Sequence, residues 1–129
     1  MPLSGHRVLI VEDEAVIALD LALAVEEANG SVVGPAESVR QALALVDDAA
    51  EPVTGAVLDI TVRDGEVTPV ARRLQERGIP FVVHTGGGLP PRLRGHFPHD
   101  VTVFIKPTPT PRVVGGLAAM LADGARPAP

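Results

Sequence analysis

A doubly wound α/β fold, with one parallel sheet covered by helices on both faces, is the class this sequence predicts. Short apolar runs alternate along the chain with helical patterns. Those runs lack the in–out alternation of a half-wet strand, so they read as buried on both faces. The length of 129 residues suits one ordinary domain with a single good core.

The strand candidates are "RVLIV" (7–11), "SVVGPA" (31–36), "GAVLDI" (55–60), "IPFVVH" (79–84) and "VTVFI" (101–105). A first helix runs from about Glu14 to Asn29, with Gly30 placed to cap it. A second opens on "SVRQ" (38–41), a capping-box pattern, and ends near Asp48. A third starts at Thr68-Pro69, read as an N-cap followed by proline in the first turn, and stops at Gly78. The last begins at Thr108-Pro109 or Thr110-Pro111. Alternating β and α elements of these lengths build a parallel sheet. Between 85 and 100, "TGGGLPPRLRGHFPHD" leaves room for one helical turn at most, so a fourth helix would be short or degenerate. The domain is expected to span 1–123, with "GARPAP" (124–129) a frayed tail.

Composition narrows the function. Hydrophobic residues make up 46% of the chain, with three Phe and no Trp or Tyr, so aliphatic residues must build the core. No cysteine is present, which removes disulfides and thiolate metal sites. A net charge of -5 disfavours nucleic acid as a ligand. No apolar run reaches the roughly 20 residues of a membrane helix. The start "MPLSGHR" lacks a signal peptide's apolar stretch, so a cytoplasmic protein is expected.

The stretch "VLIVEDE" (8–14) drives a buried strand into three consecutive acids. Adjacent like charges raise one another's cost of ionising, so either the acids fan out into water or something positive sits among them. Ligands of open parallel sheets bind at the carboxyl ends of the strands. There stand Glu12 and Asp13, then Asp59, then His84-Thr85, then Lys106-Pro107. Clustered carboxylates suit a hard cation such as Mg²⁺. With charge neutralised, a carboxylate can attack a phosphoryl group and form an aspartyl phosphate.

At these residues the sequence resembles the receiver domain of two-component response regulators. The likeness rests on "VLIVEDE", "VLDI" with Asp59, "VVHT" with Thr85 and "FIKP" with Lys106-Pro107, in that order along nearly the whole chain. It implies a five-stranded, flavodoxin-like sheet of order 2-1-3-4-5 and a phosphoacceptor at Asp59, served by Thr85 and Lys106. Asp13 and Asp59 would ligate Mg²⁺ directly, Glu12 through water and Thr61 through its backbone carbonyl. The Lys106-Pro107 bond would be cis. The phosphodonor would be a histidine kinase or a histidine phosphotransfer protein, with an unknown protein downstream and no nucleic acid or membrane involved. The activity would be confined to the protein's own phosphorylation and dephosphorylation. "PFVVHTGGG" (80–88) further resembles the "PFxFATGY" signature of the FAT GUY group, single-domain receivers tied to alphaproteobacterial stress signalling. His84 replaces the alanine of that signature, and glycines follow the first Gly. The aromatic that receivers commonly carry three residues before the lysine is Val103. In its place an order–disorder transition of residues 85–100 is the expected switch.

Plainer readings stand beside these. Glu12 and Asp13 could be a solvated strand end, and Asp47 and Asp48 simply face water. Arg72, Arg73 and Arg77 read as a solvated helix face, and Pro98 separates His96 from His99. On the first helix, Ile17, Leu21, Ala24 and Ala28 form the stripe for the sheet. Val16, Leu19 and Leu23 form a second stripe, expected to pack on the last helix or else to dock a partner. The competing functions are a phosphoryl-transfer enzyme and a scaffold that no longer accepts phosphate. A haloacid-dehalogenase-type phosphatase needs an acid two residues after its nucleophile, where this chain has Thr61. A dinucleotide enzyme needs GxGxxG after the first strand.

Overall fold

The computed structural model describes residues 2–124. Met1 and residues 125–129 lie outside them, and with them all of the expected tail except Gly124, the last residue of the final helix. In chain order the elements are β1 (Arg7–Val11), α1 (Ala15–Glu27), β2 (Ser31–Ala36), α2 (Val39–Asp47), β3 (Gly55–Leu58) and β4 (Thr61–Val62). Then come β5 (Gly65–Glu66), α3 (Thr68–Glu76), β6 (Phe81–Thr85), a 3-10 turn (Pro91–His96), β7 (Val103–Ile105) and α4 (Thr110–Gly124).

Five strands form one parallel sheet in the order β2-β1-β3-β6-β7, the arrangement expected once β4 and β5 are set aside. Those two form a separate antiparallel hairpin around "TVRDGE", which the motif reading overlooked. Its "DG" pair is a hairpin signal, but each arm has only two residues, too short to show alternation.

Each central strand is apolar throughout because each face has its own core. Val8, Ile10, Val57 and Val82 meet Leu21 and Val25 of α1 and Val113 and Leu117 of α4. Leu9, Leu58 and Val83 meet Ala42 and Val46 of α2 and Val70 and Leu74 of α3. Helices therefore cover both faces, and the carboxyl edge of the sheet is left for chemistry.

Local chemistry adjusts several expected boundaries. At the end of α1 the left-handed residue is Asn29 (φ 69°), with Gly30 one place beyond it. Asn29 N–H donates to the Glu26 carbonyl and Gly30 N–H to that of Val25, a Schellman closure. Gly30 is needed for closeness, since a Cβ there would lie 2.9 Å from Leu3 Cβ. Leu3 itself is fully buried, so the N-terminal segment belongs to the core. At α2, Ser38 accepts from Gln41 N–H as expected, but the Gln41 side chain returns to Glu37 N–H, one residue early. Thr68 lies inside α3, whose N-cap is Val67. Asp47 pairs at 2.6 Å with both Arg73 and Arg77, tying α2 to α3 where separate solvated charges were expected.

Residues 85–100 are folded onto the core. Leu93 and Phe97 are buried, and Phe97 meets Phe81 edge to face at 6.2 Å. Gln75 donates to the His96 carbonyl. Leu93 and Phe97 anchor the segment, while Gly86 and Gly87 at its start stand exposed. The second stripe of α1 does not pack on the last helix, the first of its two expected roles: Val16, Leu19 and Leu23 are 74%, 59% and 47% exposed, which leaves the docking alternative. Elsewhere on α1, Ala24 borders a cavity shared with Val114 and Ala118 of α4. No helix among the described residues is long and apolar enough to cross a membrane.

Candidate phosphoacceptor site

The parallel registers carry β1, β3 and β6 to a common edge. Val11 pairs with Leu58, and Leu58 with Val83, so the next residues, Glu12, Asp59 and His84, form a row. Backbone bonds hold this edge past the strand ends: Glu12 N–H donates to the Ala36 carbonyl and Asp59 N–H to that of Val11.

Lys106 reaches this row from the end of β7. Its Nζ lies 2.9 Å from Asp59 Oδ2 and 2.9 Å from Glu12 Oε1, with Glu14 Oε1 at 4.0 Å. This ammonium supplies positive charge to the acidic run at Glu12 and, farther off, at Glu14, but not at Asp13. Asp59 Oδ1 accepts from Ile60 N–H at 2.7 Å, and Glu12 Oε2 from Glu14 N–H at 3.1 Å. Both oxygens of Asp59 are thus occupied by donors, which orients its carboxyl group.

Glu12 is only 1% exposed. Burial pushes its pKa up, against the lowering by the bonds from Lys106 and Glu14 N–H, while the Asp59 charge adds to the rise. For Lys106, burial opposes the charge, but its bonds to Asp59 and Glu12 and their charges outweigh it and raise its pKa. The site is a compact cluster in which one ammonium offsets part of the charge of three carboxylates and leaves an excess of negative charge.

Glu12, Asp13 and Asp59 each offer an oxygen within 4.8 Å of the others. An all-oxygen, carboxylate-rich set of this size fits a hard divalent cation. Thr61 begins the β4–β5 hairpin two residues after Asp59, with its side chain exposed. Thr85, buried at the end of β6, follows His84, and its carbonyl accepts Lys106 N–H at 2.9 Å. The Lys106–Pro107 peptide is cis as expected, and Gly34–Pro35 is cis as well.

Asp64, at the hairpin turn, went unnoticed in the sequence. Its carboxylate accepts from Val39 N–H at 2.6 Å and Arg40 N–H at 3.1 Å, capping α2 from across the chain. Those bonds, the Val39 one foremost, hold its pKa below the ordinary carboxylate value. The loop that follows Asp59 is thereby anchored to a helix N-terminus. Only the "DG" turn signal pointed to this place.

No family model matches the chain, and no curated protein matches it. Solved structures do. A response regulator receiver protein from Sinorhizobium medicae is 22% identical, with a TM-score of 0.79 over 91% of this chain and 94% of its own. The receiver domain of the PhyR response regulator from Erythrobacter litoralis is 24% identical, with a TM-score of 0.76 over 98% and 97%. SdrG from Pseudomonas melonis, in its beryllofluoride-activated conformation, is 40% identical, with a TM-score of 0.68 over 89% of this chain and 95% of its own.

Proposed function

This chain belongs to the response regulator receiver family, and from that premise we propose that Asp59 accepts a phosphoryl group from a phosphohistidine and thereby switches a protein-binding surface. The observation that carries the reading is Asp59 held at 2.9 Å from a half-buried ammonium, beside two further carboxylates.

In this mechanism a carboxylate oxygen of Asp59 attacks phosphorus as the P–N bond of the donor breaks. The electron pair leaves with the donor's imidazole, which takes a proton. Lys106 would exchange its Asp59 contact for a phosphoryl oxygen and keep positive charge where negative charge develops. Thr85 would donate its hydroxyl to another phosphoryl oxygen. When bound, Mg²⁺ would neutralise charge on the phosphoryl oxygens, held by Asp13 and Asp59 directly, by Glu12 through water and by the Thr61 carbonyl. The chemistry is confined to the protein's own phosphorylation and dephosphorylation.

The phosphodonor would be a histidine kinase or histidine phosphotransfer protein. The exposed Val16, Leu19 and Leu23 stripe of α1 stands next to the acidic edge and offers it an apolar contact. The output would be a protein partner in the cytoplasm. Membership of the FAT GUY group rests on "PFVVHTGGG" alone.

The reading is tested by exposing the protein to a small acyl phosphate. The parent should become labelled and Asp59→Asn should not, because an amide is a poor nucleophile. Equal labelling of both proteins would refute the assignment.

A further inference from the structure

One buried polar group beside the site has no protein partner. His84 is 3% exposed, and neither Nδ1 nor Nε2 has a hydrogen-bond partner. A neutral imidazole carries one donor and one acceptor, so both capacities are unmet. Burial, and the nearby Lys106 charge, keep its pKa below the ordinary value, so the ring is neutral at pH 7. Buried polar groups in folded proteins are nearly always partnered, so a ring with no protein partner, set beside a cavity, calls for a partner from outside the fold: water, an ion or a ligand oxygen.

The ring's neighbours narrow that choice. His84 follows Val83, the register partner of Leu58, and so stands beside Asp59. On its other side it pairs with Phe104 of β7. Val82 and Phe104 belong to the core shared by α1 and α4, which places His84 on that same face. Phe104 in turn packs closely against α4, where a Cβ on Gly116 would come within 2.6 Å of its Cζ. Next to the ring is a cavity of about 440 Å³ bordered by Ile17, Asp20, His84, Lys106 and the prolines that follow it. A side chain can therefore move there without displacing the core.

We propose that phosphorylation of Asp59 gives His84 the hydrogen-bond partner it lacks at rest, and that the ring's movement shifts Phe104 on Gly116 and with it α4. The inference rests on the phosphoacceptor reading of Asp59. A phosphoryl oxygen can accept from the imidazole N–H, and Lys106, whose ammonium has a third proton, can donate to the other nitrogen. At rest no protein group makes either bond, whereas the phosphorylated state makes at least one with a fixed, charged partner. That difference in interaction is what lets phosphorylation shift a conformational equilibrium. The aromatic element is thus Phe104, on the α1/α4 face, with Val103 on the opposite side of the strand.

The test is NMR of the labelled protein with and without Mg²⁺ and beryllofluoride. Amide shifts at Asp59 and Ile60 report occupancy of the site, and the imidazole ¹⁵N shifts of His84 report its hydrogen bonding. On occupancy, a His84 ring nitrogen should move to a hydrogen-bonded shift and the amides of 113–117 should respond. His84→Phe keeps a ring but has no nitrogens, and should retain the Asp59 and Ile60 response while losing that of α4. His84→Leu replaces it if the larger ring does not fold, and the parent's ring shifts decide the matter without either variant. Unchanged His84 nitrogens in an occupied site would overturn the inference alone. A protein with no response at Asp59 or Ile60 would overturn the phosphoacceptor reading and the inference with it.

Discussion

Lys106 compensates Glu12 and Asp59 directly, at 2.9 Å each, whereas Asp13 shares the cluster with no ion pair of its own among the described residues. In the absence of metal, Asp13 therefore adds repulsion without a matching attraction. Asp13→Ala should raise the metal-free melting temperature by the equivalent of ~1 kcal/mol, in keeping with the strain of site residues. A clear fall would give Asp13 a structural role instead. His84 supplies a pH dependence of known sign. Burial lowers its folded pKa below the ordinary 6.5, so the unfolded chain binds a proton more readily. The stability this contributes is present above pH 6.5 and is lost as pH falls toward the lowered value. The stability difference between the parent and His84→Phe, followed by denaturant titration, should therefore change across that acid window and stay level above neutrality. At this scale the sequence was informative where chemistry is anomalous. Acids at the end of a buried strand demand positive charge, and Lys106 supplies part of it, to Glu12 and Asp59. Asp64 was illegible because its partners, Val39 and Arg40, are distant along the chain and come near only when the sheet is built.

The elements show the same contrast in α4. Gly115 and Gly116 look alike in sequence, each an unfavourable helix residue, but their surroundings differ. A Cβ at Gly115 meets nothing within 4 Å, while one at Gly116 meets the Phe104 ring. Gly115→Ala should stabilise the protein by about 1 kcal/mol, the helix preference for alanine over glycine. Gly116→Ala should lose that gain or destabilise, since an aromatic ring must move. Chemical denaturation of both variants checks the pair, and equal effects would deny the close packing of Phe104. At the second helix, Ser38→Ala removes the bond to Gln41 N–H. It should cost ~0.5–1 kcal/mol, the low side of the usual range. The low side is expected because Asp64 still satisfies Val39 and Arg40. Helix starts and stops were legible because caps and prolines act locally. The exact closure of α1 was not, because asparagine and glycine can each adopt the left-handed conformation, and it is contact with Leu3 that requires glycine at position 30.

For the molecule as a whole, the parallel order of the sheet makes the site. Glu12, Asp59 and His84 come from three strands that only this topology aligns, and Lys106 arrives from a fourth. The order 2-1-3-4-5 was implied by the family likeness of ordered motifs, since hydrophobic pattern alone specifies strands and not their neighbours. What the sequence concealed was which apolar residues stay outside: α1 is apolar on two sides, and only the packed structure shows which is exposed. Leu19→Glu should accordingly change stability by no more than about 0.5 kcal/mol, as for an ordinary surface position. It should also leave labelling by a small acyl phosphate unchanged, and a large loss of stability would place Leu19 in the core. The central claim is that the acidic edge is a cation-assisted phosphoacceptor. Its most direct test is the extent and position of acyl-phosphate labelling, measured by intact mass and peptide mapping, with Mg²⁺ and with a chelator. The account predicts a single phosphoryl group on Asp59 that requires the ion, and slower labelling in Asp13→Asn at the same ion concentration. Labelling at another residue, or labelling of Asp59 indifferent to both the ion and Asp13, would contradict it.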